Sequence, residues 1–491
     1  MKNQFQSVSI YKKLFQNTFI YGVATVIPRM LSVILVPLYT GVLENTSFGD
    51  YSIIFSYFVI FNVILAYGME TAFFRFYNKE KDKSQVVSTS TWSILATTAG
   101  FVLLAYLAFT ELQSFTRIDS QNLKLIIWIL ALDALAIIPF AWLRANSKPI
   151  RFAVIKTINV AVNLGLNVFF LLYLKDLAES SALMNSIYIP NFEVSYIFIS
   201  LIVASGLTLL LLLPFYSRIQ FQFDWNLWKS MMKYALPVLV AGVAFSINEV
   251  VDRLFLERML PEAIAKEKIG IYSACYKLGM FMTLFATAFR LGIEPFFFSH
   301  ASSKNPKSAY AMITKYFVIV GTVILLFVIV FADLFKMLLI TNESYWEAMK
   351  IVPIILLANL FLGIYHNLSV WYKVTDKTHY GAYISSIGAV FTIVINIWLI
   401  PIIGYVGSAI ATLTAYGSMM LLSYFIGQKH YAIPYKYGKI LIYLSVSILF
   451  SLISFYYFRE NYVIGIALLL VYCGGVFMNE KKELYRLIKS D

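Results

Sequence analysis

Six candidate functional residues with ionisable side chains lie in two neighbouring apolar segments, between positions 231 and 298, where charge is costly. Each segment is roughly 25 to 30 residues long, enough for a helix to cross a hydrocarbon core of about 30 Å. An ionisable group near the membrane centre costs on the order of 3 kcal/mol, so these side chains must face protein or water. The six residues are Glu249, Asp252, Arg253, Lys277, Arg290 and Glu294.

Mutual neutralisation is one interpretation of these charges. Glu249 and Arg253 lie four residues apart, on one face of a helix, and so do Arg290 and Glu294. Opposite charges at this spacing are neighbours and can pair. The acidic members could therefore serve in charge pairing or in ion coupling.

A cationic cavity is the other interpretation. Asp252 and Lys277 have no partner at helical spacing in their own segment, and Arg29 lies between two prolines in the first apolar segment. Arg29, Arg253 and Lys277, together with Arg290, would suit an anionic group such as a phosphate. Alternatively, Arg29 only bonds carbonyl groups that a proline kink leaves free.

Three further charged residues and one carboxyl complete the set of candidates. Asp133, near the centre of the fourth segment, could bind a coupling proton or pair with a cation, and a structural hydrogen bond in its neutral form fits equally well. Glu70, Arg75 and Arg144 lie towards cytoplasmic segment ends, where long side chains commonly reach the interface. A gate at the cytoplasmic side is their alternative role.

The composition indicates which elements position these residues. The chain has 491 residues, of which 60% are hydrophobic and 13% charged, and a mean hydropathy of +0.75. It is therefore predicted to be an all-α polytopic membrane protein, and its apolar runs give about fourteen spans. Lys and Arg fall in alternate loops, which explains the net charge of +13 without nucleic acid and places both termini in the cytoplasm.

An internal repeat predicts how the spans are grouped. Gly49 to Ser52 matches Gly270 to Ser273, and a second match has a similar offset of about 220 to 230 residues. Two six-helix lobes in parallel orientation follow. The predicted divisions are an N-lobe at 1–217 (spans one to six), a cytoplasmic linker at 218–229, a C-lobe at 230–429 (spans seven to twelve), and spans thirteen and fourteen with a cytoplasmic tail at 430–491.

Signatures of catalysis and of metal binding are weak. No phosphate-binding loop motif is present, and the two cysteines, Cys275 and Cys473, lie in apolar segments without a metal-ligand spacing. The chain is therefore expected to be no enzyme and to hold no metal or other cofactor, with H⁺ or Na⁺ as a possible coupling ion. The histidines are scattered along the chain, at His300, His366, His379 and His430.

Several motifs together resemble the polysaccharide and O-antigen flippases of the multidrug/oligosaccharidyl-lipid/polysaccharide exporter superfamily. The resemblance covers almost the whole chain. It rests on Arg29 with Pro37-Leu-Tyr, GMETAFFRFY from Gly68, Leu236-Pro-Val with Asp252-Arg253, GIYSACYK from Gly270, Glu294-Pro-Phe-Phe-Phe, SVWYKVTDKTHYGAYISSIGA and IPIIGYVGSAIATL.

The resemblance implies a flippase of the bacterial inner membrane that moves undecaprenyl-diphosphate-linked oligosaccharide by alternating access. Arg29, Arg253 and Lys277 match its basic cavity residues, and ion gradients would reset the transporter. The lipid-linked oligosaccharide and the bilayer are the implied partners, with a polysaccharide polymerase or glycosyltransferases as possible additional ones.

Three other functions remain open at this stage. The extra pair of spans is similar to that of lipid II flippases. A multidrug exporter of the same superfamily would use an acidic site, with Asp133, Glu249 and Asp252 as candidates. A membrane-embedded polymerase or ligase would need a large extracytoplasmic loop, and the longest such loop here is short and poor in acid, base or Arg residues.

Overall fold

The computed structural model describes residues 33–217, 219–299, 306–375 and 377–489, without the side chains of 294–296, 298, 299 and 484–489. This part of the chain is almost entirely helical and contains no β-strand. Thirteen of its helices are long and apolar enough to cross a membrane. They are preceded by a shorter apolar helix, α1 (Val33–Val42).

The membrane-spanning candidates follow one another with short connections. They are α2 (Asn45–Lys79), α3 (Lys83–Leu107), α4 (Ser120–Ala145), α5 (Pro149–Ser180), α6 (Glu193–Tyr216), α7 (Trp225–Met259), α8 (Glu262–Ile293), α9 (Pro306–Val330), α10 (Glu343–Val374), α11 (His379–Ile403), α12 (Tyr405–His430), α13 (Tyr437–Tyr457) and α14 (Tyr462–Glu483). The prediction of an all-α protein with about fourteen spans is confirmed; most of the first predicted span lies outside the described residues.

Aspartate side chains determine where several of these helices begin. Asp82, Asp119 and Asp224 immediately precede α3, α4 and α7, and each accepts hydrogen bonds from backbone N–H groups of the first turn. Those N–H groups have no partner within the helix, so the carboxylates satisfy them and oppose the positive end of the helix dipole.

Two interruptions shape the helices that carry candidate residues. In α2, Tyr67 and Gly68 have positive φ, and a Cβ on Gly68 would meet the carbonyl oxygen of Ala235 in α7 at 2.5 Å. Glycine is therefore required at this bend. In α8, a 3₁₀ turn spans Lys277–Gly279, and the Asn359 side-chain amide donates a hydrogen bond of 3.1 Å to the Gly279 carbonyl. The amide compensates for a disturbed backbone hydrogen-bond ladder.

Tertiary contacts divide the chain into two units, which meet in sequence between Gly270 and Ile271. In the first unit, α6 packs on α4 and α5, and α7 packs along α2. In the second unit, α12 packs on α10 and α11, and α9 packs on α10, α13 and α14. The lobe boundary at 218–229 was inferred from the sequence repeat, and it stays a prediction.

Two repeat-related glycines make matching close approaches inside the first unit. A Cβ on Gly49 would overlap the carbonyl oxygen of Lys266, and a Cβ on Gly270 would overlap that of Asn45. Both contacts join the start of α2 to the start of α8. Adding the repeat offset of about 220 to 230 residues to the positions of one contact gives the positions of the other, with the roles of the two helices exchanged. Only glycine allows backbones to approach so closely at both positions.

The helices α13 and α14 are fastened to α9 at three levels. At one end, Lys315 contacts Glu480 at 2.5 Å; in the middle, Tyr472 donates a hydrogen bond of 2.7 Å to Thr322. At the other end, Arg459 contacts Asp333, just beyond α9, at 2.8 Å. The two last spans are thus an integral part of the second unit.

Candidate functional site

A small polar pocket lies between α8 and α10 in the second unit. On α8, polar residues at positions i, i+4 and i+7 share one face of the helix. They face two polar residues of α10, Asn359 and His366, so these apolar helices present hydrogen-bonding groups to each other inside the membrane-spanning region. The cavity is small, about 30 Å³. Its lining consists of Thr283, Ala286, Thr287, Arg290, Asn359, Leu362 and His366.

Positive charge is concentrated at this pocket. Arg290 and Lys373 both lie close enough to the partly buried His366 ring to interact with it electrostatically. A guanidinium group with neighbouring hydroxyl and amide donors can hold an oxyanion through several charge-assisted hydrogen bonds. We call this set, with Lys373, the cationic pocket.

Lys277 lies on the same helix as Arg290, at the 3₁₀ turn of α8. Its side chain is half-buried. The irregular backbone at this level occurs in a segment packed inside the protein, where a break in a membrane helix is tolerated. Lys277 does not line the cationic pocket, and its predicted role in binding substrate stays a prediction.

Arg253 is buried in the first unit and is neutralised by an adjacent residue. Its Nη1 donates hydrogen bonds to the Asp252 carboxylate at 2.7 Å and to the Glu249 backbone carbonyl at 2.8 Å. Asp252 is itself 3% exposed, whereas the Glu249 side chain is exposed. Arg253 therefore contacts residue 249 through its backbone carbonyl, and the Asp252 carboxylate supplies the negative charge that neutralises the guanidinium group.

Two of the predicted site residues lie outside what the structure describes. Arg29 precedes the described residues, and the side chain of Glu294 is among those not described. Their predicted roles in a cationic cavity and in ion coupling or charge pairing are unchanged.

Asp133 is held by a hydrogen bond between α4 and α6. The Ser205 hydroxyl donates to its carboxyl at 2.7 Å, and Lys156 on α5 lies close enough to interact with it electrostatically. Lys156 also packs over the Phe140 ring, at 4.3 Å from the ring centroid. These contacts are the ones expected of hydrogen bonding and charge pairing; a part in ion coupling stays a prediction.

The three predicted gate residues lie at the end of the first unit that carries the basic loops. Glu70 and Arg144 form an ion pair that joins α2 to α4, and Arg144 lies over the Phe74 ring, 4.8 Å from its centroid. Arg75 instead packs over Tyr234 on α7, at 4.3 Å. The structure thus pairs Glu70 with Arg144, whereas Arg75 contacts a different helix, α7.

Sequence reasoning identified Arg290 but missed the residues around it. His366 was one of several scattered histidines, and Asn359, Thr283 and Thr287 were not singled out. A usable signal existed: Thr283, Thr287 and Arg290 share one face of an otherwise apolar helix. Among the described residues, no group of three or more His, Cys, Asp or Glu could hold a metal ion.

Comparisons with known proteins identify the family. The family model described as "Polysaccharide biosynthesis protein" matches residues 14–289, more than half of the chain, and the model "MatE" matches residues 237–398. No curated protein sequence matches the chain significantly.

Solved structures of transporters share the fold. The lipid II flippase MurJ in an inward closed conformation aligns with a TM-score of 0.73 at 16% identity, over 94% of this chain and 99% of its own. A multidrug resistance MATE family transporter of the MOP superfamily, in an inward-facing conformation, aligns with a TM-score of 0.63 at 12% identity, over 87% and 96%.

A MOP superfamily transporter from Pyrococcus furiosus, described as having a binding pocket of reversed polarity, aligns with a TM-score of 0.58 at 12% identity, over 84% of this chain and 95% of its own. At these identities the structural likeness concerns the fold. With the family match, it shows that the chain belongs to the polysaccharide biosynthesis protein family and to the flippase and transporter fold of the MOP superfamily.

Proposed function

We propose that this protein moves undecaprenyl-diphosphate-linked oligosaccharide repeat units from the cytoplasmic to the periplasmic leaflet of a bacterial inner membrane, for surface polysaccharide biosynthesis. Its loops rich in Lys and Arg, and both termini, would face the cytoplasm. Alternating access, reset by an ion gradient, would carry the substrate across.

The observation that carries the proposal is the cationic pocket. Two cationic residues, Arg290 and Lys373, gather near His366 on spanning helices, and together they favour an anionic group there. A diphosphate supplies such an anion, and bidentate bonding by a guanidinium group would hold it. The match to the polysaccharide biosynthesis family supports a lipid-linked substrate.

Lipid II is a second candidate substrate, because the chain matches the lipid II flippase structure over 94% of its length. Both substrates carry a diphosphate, so the cationic pocket suits either. Drug export is less well supported, since Asp252 is paired with Arg253 and Asp133 is hydrogen-bonded by Ser205.

The test is a strain that lacks the gene, complemented with variants. Loss of the wild type is expected to leave undecaprenyl-diphosphate-linked repeat units facing the cytoplasm and to remove one surface polymer. Arg290→Ala should lower the rate of polymer export about 10- to 100-fold, the equivalent of one charge-assisted hydrogen bond, and Arg290→Lys should restore part of it.

The matched control is Lys429→Ala, which changes an exposed basic residue at the end of α12; a strain with this variant should export polymer normally. Accumulation of lipid II in place of repeat units would transfer the proposal to the second candidate. Normal lipid-linked pools together with changed drug susceptibility would contradict both.

A further inference from the structure

The first unit contains a second, larger cavity, at the face opposite to the basic loops. We call it the outer chamber. It has a cavity volume of about 570 Å³ and lies where α2, α4, α6 and α8 begin and α7 ends. Its charged and amide residues include Asp50, Arg117, Asp119, Asn122, Glu257 and Lys266.

Two buried polar atoms of the outer chamber lack a hydrogen-bond partner among the described residues. These are Oε2 of Glu257, a residue 5% exposed, and Oδ1 of Asn122, which is 6% exposed. The Asn122 amide is oriented, because its Nδ2 donates to the Asp119 carboxylate at 2.7 Å. A buried acceptor left unsatisfied costs about 1 to 3 kcal/mol, so both atoms call for a donor from outside the protein.

The charges of the outer chamber are close to balance. Lys266 and Asp50 form an ion pair of 2.8 Å, and Arg117 and Lys266 both interact electrostatically with Glu257. Such a chamber is neither a basic site for phosphate nor, among the described residues, a cluster of metal ligands. It presents carboxylate and amide acceptors beside cationic donors.

Polyhydroxylated ligands fit this arrangement. Each hydroxyl group donates one hydrogen bond and accepts others, so it can join an unsatisfied carboxylate or amide oxygen to a neighbouring cation. Phe192 also lines the outer chamber and offers an apolar ring to the C–H face of a sugar. The outer chamber's volume of about 570 Å³ lies within the range of about 300 to 1000 Å³ that holds drug-sized ligands, so it is large enough for a small sugar.

We propose that the outer chamber binds the sugar portion of the transported substrate, through uncharged hexose or N-acetylhexosamine units. Glu257 and Asn122 accept hydrogen bonds from sugar hydroxyl groups, and Arg117 and Lys266 donate to them. This inference rests on the proposed function, in which the diphosphate occupies the cationic pocket, and it assigns the sugars to a separate site in the first unit.

The experiment measures sugar binding by the purified full chain in lipid nanodiscs. Methyl glycosides of glucose, galactose, N-acetylglucosamine and N-acetylgalactosamine are the probes, followed by saturation-transfer difference NMR. We expect at least one of them to bind the wild type, and Glu257→Leu and Asn122→Leu each to weaken that binding about tenfold. Glu111→Gln, an exposed carboxylate on the same face, is the matched control and should bind as the wild type does.

Two results overturn the inference. One is that no probe receives saturation from the wild type; the other is that Glu257→Leu and Asn122→Leu both bind the probe as tightly as the wild type does. Arg290→Ala should retain sugar binding, because the cationic pocket belongs to the second unit. Sugar binding without a defect in the deletion strain would contradict the proposed function alone. A flippase defect without sugar binding would contradict this inference alone.

Discussion

Two regions of the molecule bury charged groups and treat them in opposite ways. In the second unit, Lys315 and Glu480 are about 1% exposed and form an ion pair of 2.5 Å with each other. Glu257 in the outer chamber instead keeps a buried oxygen without a hydrogen-bond partner among the described residues. We call the first region the C-terminal latch; it consists of Lys315, Lys436, Lys439, Tyr443, Glu480 and Glu483.

The difference separates structural charge from charge available to a ligand. In the C-terminal latch, Glu480 accepts from Lys315 at 2.5 Å, from Lys439 at 2.7 Å and from Tyr443 at 2.7 Å. Both oxygens of Glu480 are thus occupied by donors of the protein itself, and the contacts hold α13 and α14 against α9. The outer chamber leaves acceptors without a donor from the described residues, so water or a ligand must supply one.

The largest effect is expected from breaking the C-terminal latch. Glu480→Leu should lower the free energy of unfolding by about 3 kcal/mol, since it leaves the buried Lys315 with Glu483 as its remaining carboxylate partner. Thermal unfolding in detergent measures this. The double variant Lys315→Met/Glu480→Leu should recover most of the loss, because an apolar pair of similar volume removes the unpaired charge. A single variant as stable as the wild type would show that the latch contributes little.

The contact at the other end of α9 predicts a pH dependence. Burial alone would raise the pKa of Asp333, but hydrogen bonds from Arg459 and Lys336 outweigh it and hold that pKa below its ordinary value. Stability from a lowered carboxyl pKa is present above the unfolded value of about 3.9 and is lost as the pH falls through the folded value. Unfolding should therefore become easier below about pH 4.

Asp333→Asn is the variant that checks this dependence. It should lower the free energy of unfolding at neutral pH by about 2 kcal/mol, because the buried carboxylate no longer compensates Lys336 and Arg459. It should also remove part of the acid sensitivity. An unchanged acid profile would assign the sensitivity to other carboxylates.

The outer chamber should respond much less than the C-terminal latch. Glu257→Leu should change the free energy of unfolding by no more than about 1 kcal/mol, because Oε2 of Glu257 has no hydrogen bond to lose and only the attraction to Arg258, Arg117 and Lys266 is removed. The same thermal assay applies, with Glu480→Leu alongside it. A loss as large as that of Glu480→Leu would mean that Glu257 is structural.

The smallest effect is expected at the rim of the C-terminal latch. Lys436 contacts Glu483 at 3.0 Å with about half of its side chain exposed, so Lys436→Ala should cost about 0.2 to 1 kcal/mol. High salt should reduce the difference from the wild type, since an exposed pair is screened. A salt-independent loss would place Lys436 in the buried part of the network.

Much of the architecture follows from the sequence alone. Apolar runs of membrane-spanning length predict nearly all the helices, because a bilayer leaves a chain few other ways to satisfy its backbone hydrogen bonds. The repeat of Gly49 and Gly270 was visible in the residues before their contacts were known. Arg290 and Asp133 were identified because an ionisable residue in an apolar run is conspicuous by itself.

Which charged residues pair with each other, in contrast, was decided by the tertiary structure. Local spacing suggested that Glu249 neutralises Arg253, but the fold supplies Asp252 as the carboxylate instead, because side-chain direction and not sequence distance determines contact. Lys315 and Glu480 are far apart in the chain and meet only because α14 packs on α9. Whether a buried charge is compensated, as in the C-terminal latch, or left open, as in the outer chamber, depends on which distant helices surround it.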